Sequence, residues 1–272
     1  MPIPIQPLSF RSMPPNKTTK LHVMNSGSAL LKQSAVSDNM GSNSMNDVFY
    51  AGARGFAVCG ALPIQSAITR CIDGESMFGS VRKAFTNVDS WRAILPTFVL
   101  FSGYQLAINR ASCVKDDTKT RVLAAGLAFF VLSPFHAKRT VAMLQLNKEK
   151  RLKPKSPGPF LAASFLYGAT LQGGIEGSKR FMDNFPSLQD GQEKNPRLMR
   201  FFSGCVGGVL AHPFLVVMNQ SMKACIVKRV NTEGGSVFCR GASLTGARIG
   251  ISLLGMDMIN SSFKKVSKFK KK

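Results

Sequence analysis

Three stretches of the chain share one pattern: small and apolar residues, a proline near the middle, and few charges. They are AGARGFAVCGALPIQSAITR (Ala51–Arg70), LAAGLAFFVLSPFHAKRTVAMLQ (Leu123–Gln145) and SGCVGGVLAHPFLVVMNQ (Ser203–Gln220). No Asp, Glu, Lys or Arg lies among the 22 residues from Phe201 to Met222. A helix of that length crosses a bilayer. A proline inside such a helix frees a carbonyl and kinks it, and a membrane tolerates the break where neighbouring helices cover it. Gly204, Gly207 and Gly208 suit a face on which another backbone comes close. The three prolines, Pro63, Pro134 and Pro213, lie 71 and 79 residues apart. Near-regular spacing of this kind marks an internal repeat.

A second apolar stretch follows each of the three after a polar interval. Ala93–Asn109 is uncharged for 17 residues, Ser156–Ile175 for 20, and a third begins near Phe238. The pattern predicts an all-α membrane protein with six transmembrane helices in three two-helix repeats. The expected divisions are a basic N-terminal segment without fixed structure at 1–46, repeats at 47–112, 116–185 and 196–267, and a basic tail at 268–272. Phe78, Val81 and Phe85 have the spacing of a short amphipathic helix at the membrane surface, and Trp91 with Arg92 suits an interfacial anchor. Residues 182–197 and 223–237 read as polar connections.

Charge changes the picture of partners. The chain carries 36 Lys and Arg against 14 Asp and Glu, a net +22, while only 18% of its residues are charged. Soluble domains carry about 25%. The basic residues lie mostly between and beside the apolar stretches, which favours an anionic membrane surface or an anionic solute over nucleic acid. Three Tyr and one Trp offer little for base stacking, although Phe is plentiful. The six cysteines contain no C-x-x-C pair and read as packed thiols. His22, His136 and His212 have no metal-ligand spacing, so neither metal nor cofactor is expected. No P-loop and no G-x-S-x-G motif is present, and an enzyme is not expected.

A few charges fall inside the apolar stretches. Arg54 is one, and it shares a helical face with Gln65, 11 residues on. Such a charge either faces a water-filled interior or snorkels to the surface. Glu176 and Lys179 form an i,i+3 pair at the end of the fourth stretch. Arg248 and Asp257, nine residues apart in the sixth, point to opposite faces of their helix and are not expected to pair.

The chain resembles the mitochondrial carrier family over roughly residues 47–267. The resemblance rests on PIQSAI from Pro63, PFHAKR from Pro134 and PFLVVM from Pro213, read against P-x-[DE]-x-x-[KR]. It rests also on Trp91-Arg92-Ala93 and Cys239-Arg240-Gly241 as openings of even-numbered helices; the second repeat's opening is blurred near Pro154–Phe160. It implies six helices around a central cavity, with the matrix end closed by an ionic network at the positions held here by Gln65, His136 and Leu215 (acidic in the family) and Ile68, Arg139 and Met218 (basic). One base and no acid remain, so the implied gate closes by packing and polar contacts. Ile175-Glu176-Gly177-Ser178-Lys179 matches the family's cytoplasmic-side pattern best.

The sixth stretch, FCRGASLTGARIGISLLGMDMINSSFKK, is most similar to that of ADP/ATP carriers, which implies that Arg248 faces the cavity and meets an anionic substrate. The equivalent site on the second stretch is Leu100, and MNQSMK stands where ADP/ATP carriers have an Arg-rich hallmark. The expected protein is therefore a monomeric carrier of the mitochondrial inner membrane. Its expected substrate is an anionic metabolite, ATP or ADP among the candidates, moved by alternating access. Arg248, Arg54 and Arg139 would bind it; Pro63, Gln65, Pro134, His136, Pro213, Glu176 and Lys179 would form kinks and gates. A carrier-like scaffold that no longer transports, contacting lipid headgroups or partners through its basic ends, is the alternative.

Overall fold

The computed structural model describes residues 40–86, 92–143, 154–185, 195–223 and 226–269. Among them all regular structure is helical. The helices are α1 (Met40–Gly60), α2 (Leu62–Ile72), α3 (Met77–Thr86), α4 (Ile94–Val114), α5 (Thr118–Val131), α6 (Ser133–Met143), α7 (Pro157–Asp183), α8 (Pro196–Lys223), α9 (Ile226–Glu233) and α10 (Ala242–Phe269). A 3-10 turn, Gly235–Cys239, precedes α10. The first helix thus starts at Met40, ahead of the boundary expected at 47, and the last runs past the boundary expected at 267 to Phe269. Residues 1–39, Trp91 and most of 182–197 lie outside the described residues.

The prolines act as the sequence predicts in two cases of three. The α1–α2 pair bends by 56° and the α5–α6 pair by 62°. Each break falls two residues before the proline, at Ala61 and Leu132, where the missing proline N–H leaves the ladder open. The ladder resumes in both: Gln65 N–H donates to the Ala61 carbonyl and His136 N–H to that of Leu132, each at 3.2 Å. The third differs, because α8 runs through Pro213 without a break. The residue before that proline, His212, is buried and tied to the start of α10. Its Nε2 donates to the Arg240 carbonyl at 2.9 Å, and its Nδ1 lies 2.7 Å from the Thr245 hydroxyl. Gly241, at φ 84°, makes the left-handed turn that leads into α10.

One described helix, Pro196–Met222, is long and apolar enough to cross a bilayer alone; α1–α2 and α5–α6 qualify as bent pairs. The main helix contacts follow the chain and close on themselves. α1 packs on α4, α4 on α5 and α6, α5 on α7, α7 on α8, α8 on α10, and α10 back on α1 and α2. The same close approach recurs at a fixed distance from each proline. Eight residues before it stand Gly55, Gly126 and Cys205, packed against Phe98, Phe165 and Gly246 in turn. That register places Leu100, Tyr167 and Arg248 at corresponding sites on α4, α7 and α10, and Asn109, Glu176 and Asp257 at another.

The distribution of polarity is inverted. Arg54, Arg139 and Arg248 are among the largest fully buried side chains, whereas Phe56 and Val131 are 67% and 70% exposed. Leu95, Leu127, Phe202 and Leu210 add to the apolar exterior. An apolar outside around a charged inside fits a membrane protein.

Outside the apolar belt, Asp117 caps α5: its carboxylate accepts from the Thr120 N–H at 2.6 Å and pairs with Lys115 at 2.9 Å. These hydrogen bonds hold its pKa far below the ordinary carboxylate range. A depressed folded-state pKa means that the cap's contribution is whole above the unfolded value, about 4, and fades as pH falls below it. Amide exchange at Thr120 is therefore expected to quicken in acid relative to its neutral-pH value after correction for intrinsic rate, and Asp117→Asn should remove most of that acid dependence.

Candidate functional site

Three helices each contribute one arginine to the middle of the bundle. Arg54 comes from α1, nine residues before Pro63; Arg139 from α6, five after Pro134; Arg248 from α10. The guanidinium groups of Arg139 and Arg248 lie 5.7 and 5.4 Å from the centre of one ring, Phe101. That of Arg54 lies 5.9 Å from Tyr104, which meets Phe101 edge-on. Phe129 packs edge-on against Phe101, Tyr104 and Tyr167 and closes the aromatic floor. The charge of Arg248 acts on both other arginines.

Their hydrogen bonds are incomplete. Arg248 Nη2 donates to the Tyr167 hydroxyl at 3.0 Å. Arg139 Nη2 lies 3.1 Å from His136 Nδ1 and 3.4 Å from its Nε2, and donates to the ring. Arg54 Nε and Nη2, Arg139 Nη1 and Arg248 Nε are buried with no partner, and none of the three arginines pairs with a carboxylate among the described residues. Three cations with unfilled N–H groups, stacked on rings that attract positive charge but cannot neutralise it, have the chemistry to hold an anion.

Carboxylates stand nearer one end. Glu176 on α7 pairs with Arg121 of α5 at 3.2 Å and more loosely with Lys179 at 3.8 Å. The Glu176–Lys179 pair expected from spacing is present, but Arg121 is the closer partner. Asp257 on α10 pairs with Arg200 of α8, and Arg248 takes no part, as its opposite facing requires. The sequence held a signal for both: Arg121 and Arg200 each stand 13 residues before their proline, and Tyr50 holds that place before Pro63. Tyr104 and Gln172 were also not foreseen; nothing along the chain links them, yet the Tyr104 hydroxyl donates to Gln172 Oε1 at 2.8 Å.

At the proline end, Ile68, Leu215 and Met218 are fully buried in the apolar core, with the buried Gln65 beside Ile68 in the chain. His136 and Arg139 bond to each other. The 56° bend lies between Arg54 and Gln65, so the shared face of a straight helix does not carry across it. Cys59, Cys71, Cys113, Cys205 and Cys239 are free thiols.

No family model, no curated protein and no solved structure matches this chain. The site is therefore read from its own chemistry.

Proposed function

We propose that the chain is a divergent mitochondrial carrier that moves an anionic metabolite across the mitochondrial inner membrane by alternating access, with ATP and ADP the first candidates. In this reading α1–α2 with α4, α5–α6 with α7, and α8 with α10 are three repeats of two spans. The polar side chains inside α4, α7 and α10 lower their hydropathy because they line the interior. The bends two residues before Pro63 and Pro134, the packing repeated eight residues before each proline, and the closure of α10 onto α1 all support it.

The observation that carries the proposal is the set of buried arginines with unpartnered N–H groups. A buried charge without a counter-ion is costly, and inside a membrane protein it marks a ligand path. An occupant with two to three negative charges would fill the free donors of Arg54, Arg139 and Arg248. Transport then requires that the occupant stabilise the state between the two open forms.

One observation favours a second reading. Ile68, Leu215 and Met218 fill the proline end with apolar side chains where the resemblance implies ion pairs. A bundle locked there by packing would serve as a membrane scaffold. Liposomes containing the purified chain separate the two. Labelled ATP is expected to enter only when the vesicles hold unlabelled nucleotide, which marks an exchanger. Absence of uptake for ATP, ADP, phosphate and di- and tricarboxylates would overturn transport in favour of the scaffold.

A further inference from the structure

Glu176 is a buried carboxylate within two side chains of Arg54, along the line Tyr104, Gln172, Glu176, and yet the arginines are left without an acid. Gln172 stands between. Its Nε2 donates to Glu176 Oε1 at 2.8 Å, and its Oε1 accepts from the Tyr104 hydroxyl at 2.8 Å. The chemistry fixes which end of the amide is which, because a carboxylate can only accept and a phenol bonded in this way donates. A neutral amide suits the place: it has a donor end, an acceptor end and no charge. On its other side Glu176 Oε2 is held by Arg121 at 3.2 Å. The carboxylate is thereby drawn toward α5, and Tyr104 is kept with its ring toward Arg54. The corresponding turn of α4 has the same i,i+4 bond, Gln105 Nε2 to Asn109 Oδ1 at 2.8 Å, with an amide in place of the acid.

We propose that Gln172 is a positioning residue that keeps Glu176 from neutralising the arginine cluster, and so keeps Arg54 free for the substrate anion. The proposal rests on the reading of that cluster as an anion site. Without Gln172, Glu176 Oε1 loses its inner partner and keeps only Lys179, 3.8 Å away, while Arg54 stands next along the line behind Tyr104 with unfilled N–H groups. A carboxylate that swings to it competes with every anionic ligand.

The test uses the full-length purified chain with ATP and pyrophosphate as probes, and titration calorimetry as the readout. Gln172→Met is expected to weaken both about tenfold, the change that ~1.4 kcal/mol makes. Adding Glu176→Gln in the same chain should restore affinity to within about twofold of the starting protein, which loss of packing alone would not do. Gln172→Glu serves as a second variant: it keeps the bond to Tyr104, moves a carboxylate one step inward, and should weaken both probes at least as much. Unchanged affinity in Gln172→Met, or a loss that Glu176→Gln does not restore, overturns the proposal.

A ligand-free arm separates it from the parent reading. Arg54→Met and Glu176→Gln should shift the midpoint of thermal unfolding additively while Gln172 is present and non-additively in Gln172→Met. If the unaltered protein binds neither probe, the anion-site reading fails, and this arm still decides the positioning: additivity in both backgrounds overturns it.

Discussion

Arg248→Ala is expected to cut anion uptake by about 30-fold or more while leaving the protein at least as stable as before. The first half follows from geometry. Arg248 is the arginine that meets both the Phe101 ring and the Tyr167 hydroxyl, and its charge reaches Arg54 and Arg139. Losing one member of a desolvated charged contact costs about 2 kcal/mol or more, which is the stated fold-change. The second half follows from the missing counter-ion. Removing a buried cation with no carboxylate partner removes a penalty, so the midpoint of thermal unfolding should hold or rise. Loss of transport together with loss of folding would make Arg248 a structural residue. Arg248→Lys keeps the charge but not the fork, and should recover part of the uptake. Uptake by Arg248→Ala at the unaltered rate would remove it from the site.

The parts of this molecule legible in the sequence are those carried by a local rule. Pro63 and Pro134 each broke a helix two residues upstream because a missing N–H acts on its own turn. Arg54, Arg139 and Arg248 stood out because a charge in an apolar stretch must face something. Pro213 shows the limit: the same residue sits in an unbroken helix, in a setting where His212 ties α8 to the Arg240 carbonyl 28 residues on. The aromatic floor was hidden for a related reason. Phe101, Phe129 and Tyr167 are ordinary apolar positions in three separate helices, and only the closed packing order makes them neighbours. The polarity of α4, α7 and α10 blurs the hydropathy pattern, because their buried faces hold Tyr104, Gln172, Glu176 and Arg248. Arg121 and Arg200 were legible in principle, through their shared distance from a proline, but that distance gains meaning only once both carboxylate partners are seen.

The second large effect is expected at two adjacent glycines of α8. Gly207 faces α7 and Gly208 faces α10. A Cβ built on Gly207 would lie 2.7 Å from the Leu171 carbonyl oxygen, and one on Gly208 would lie 2.8 Å from that of Thr245. Both obstacles are backbone, which cannot rotate away as a side-chain tip can. The neighbouring helices return the approach: Gly174 backs onto Gly207, and Gly246 onto the Cys205 carbonyl. In lipid, where apolar burial gives little drive for helix association, close contact of this kind carries much of it. Gly207→Val and Gly208→Val should therefore each cost about 3 kcal/mol, the upper part of the range for overpacking, and the double variant should fail to give a cooperative unfolding transition in detergent. Gly177→Ala is the matched control. Its Cβ meets nothing within 4 Å, on the outward side of α7. There alanine should hold or raise the unfolding midpoint, since it favours helix by about 1 kcal/mol over glycine. Equal destabilisation at Gly177 and Gly208 would mean that the glycines act through backbone flexibility and that the close approach of α7, α8 and α10 is not what holds this half of the bundle together.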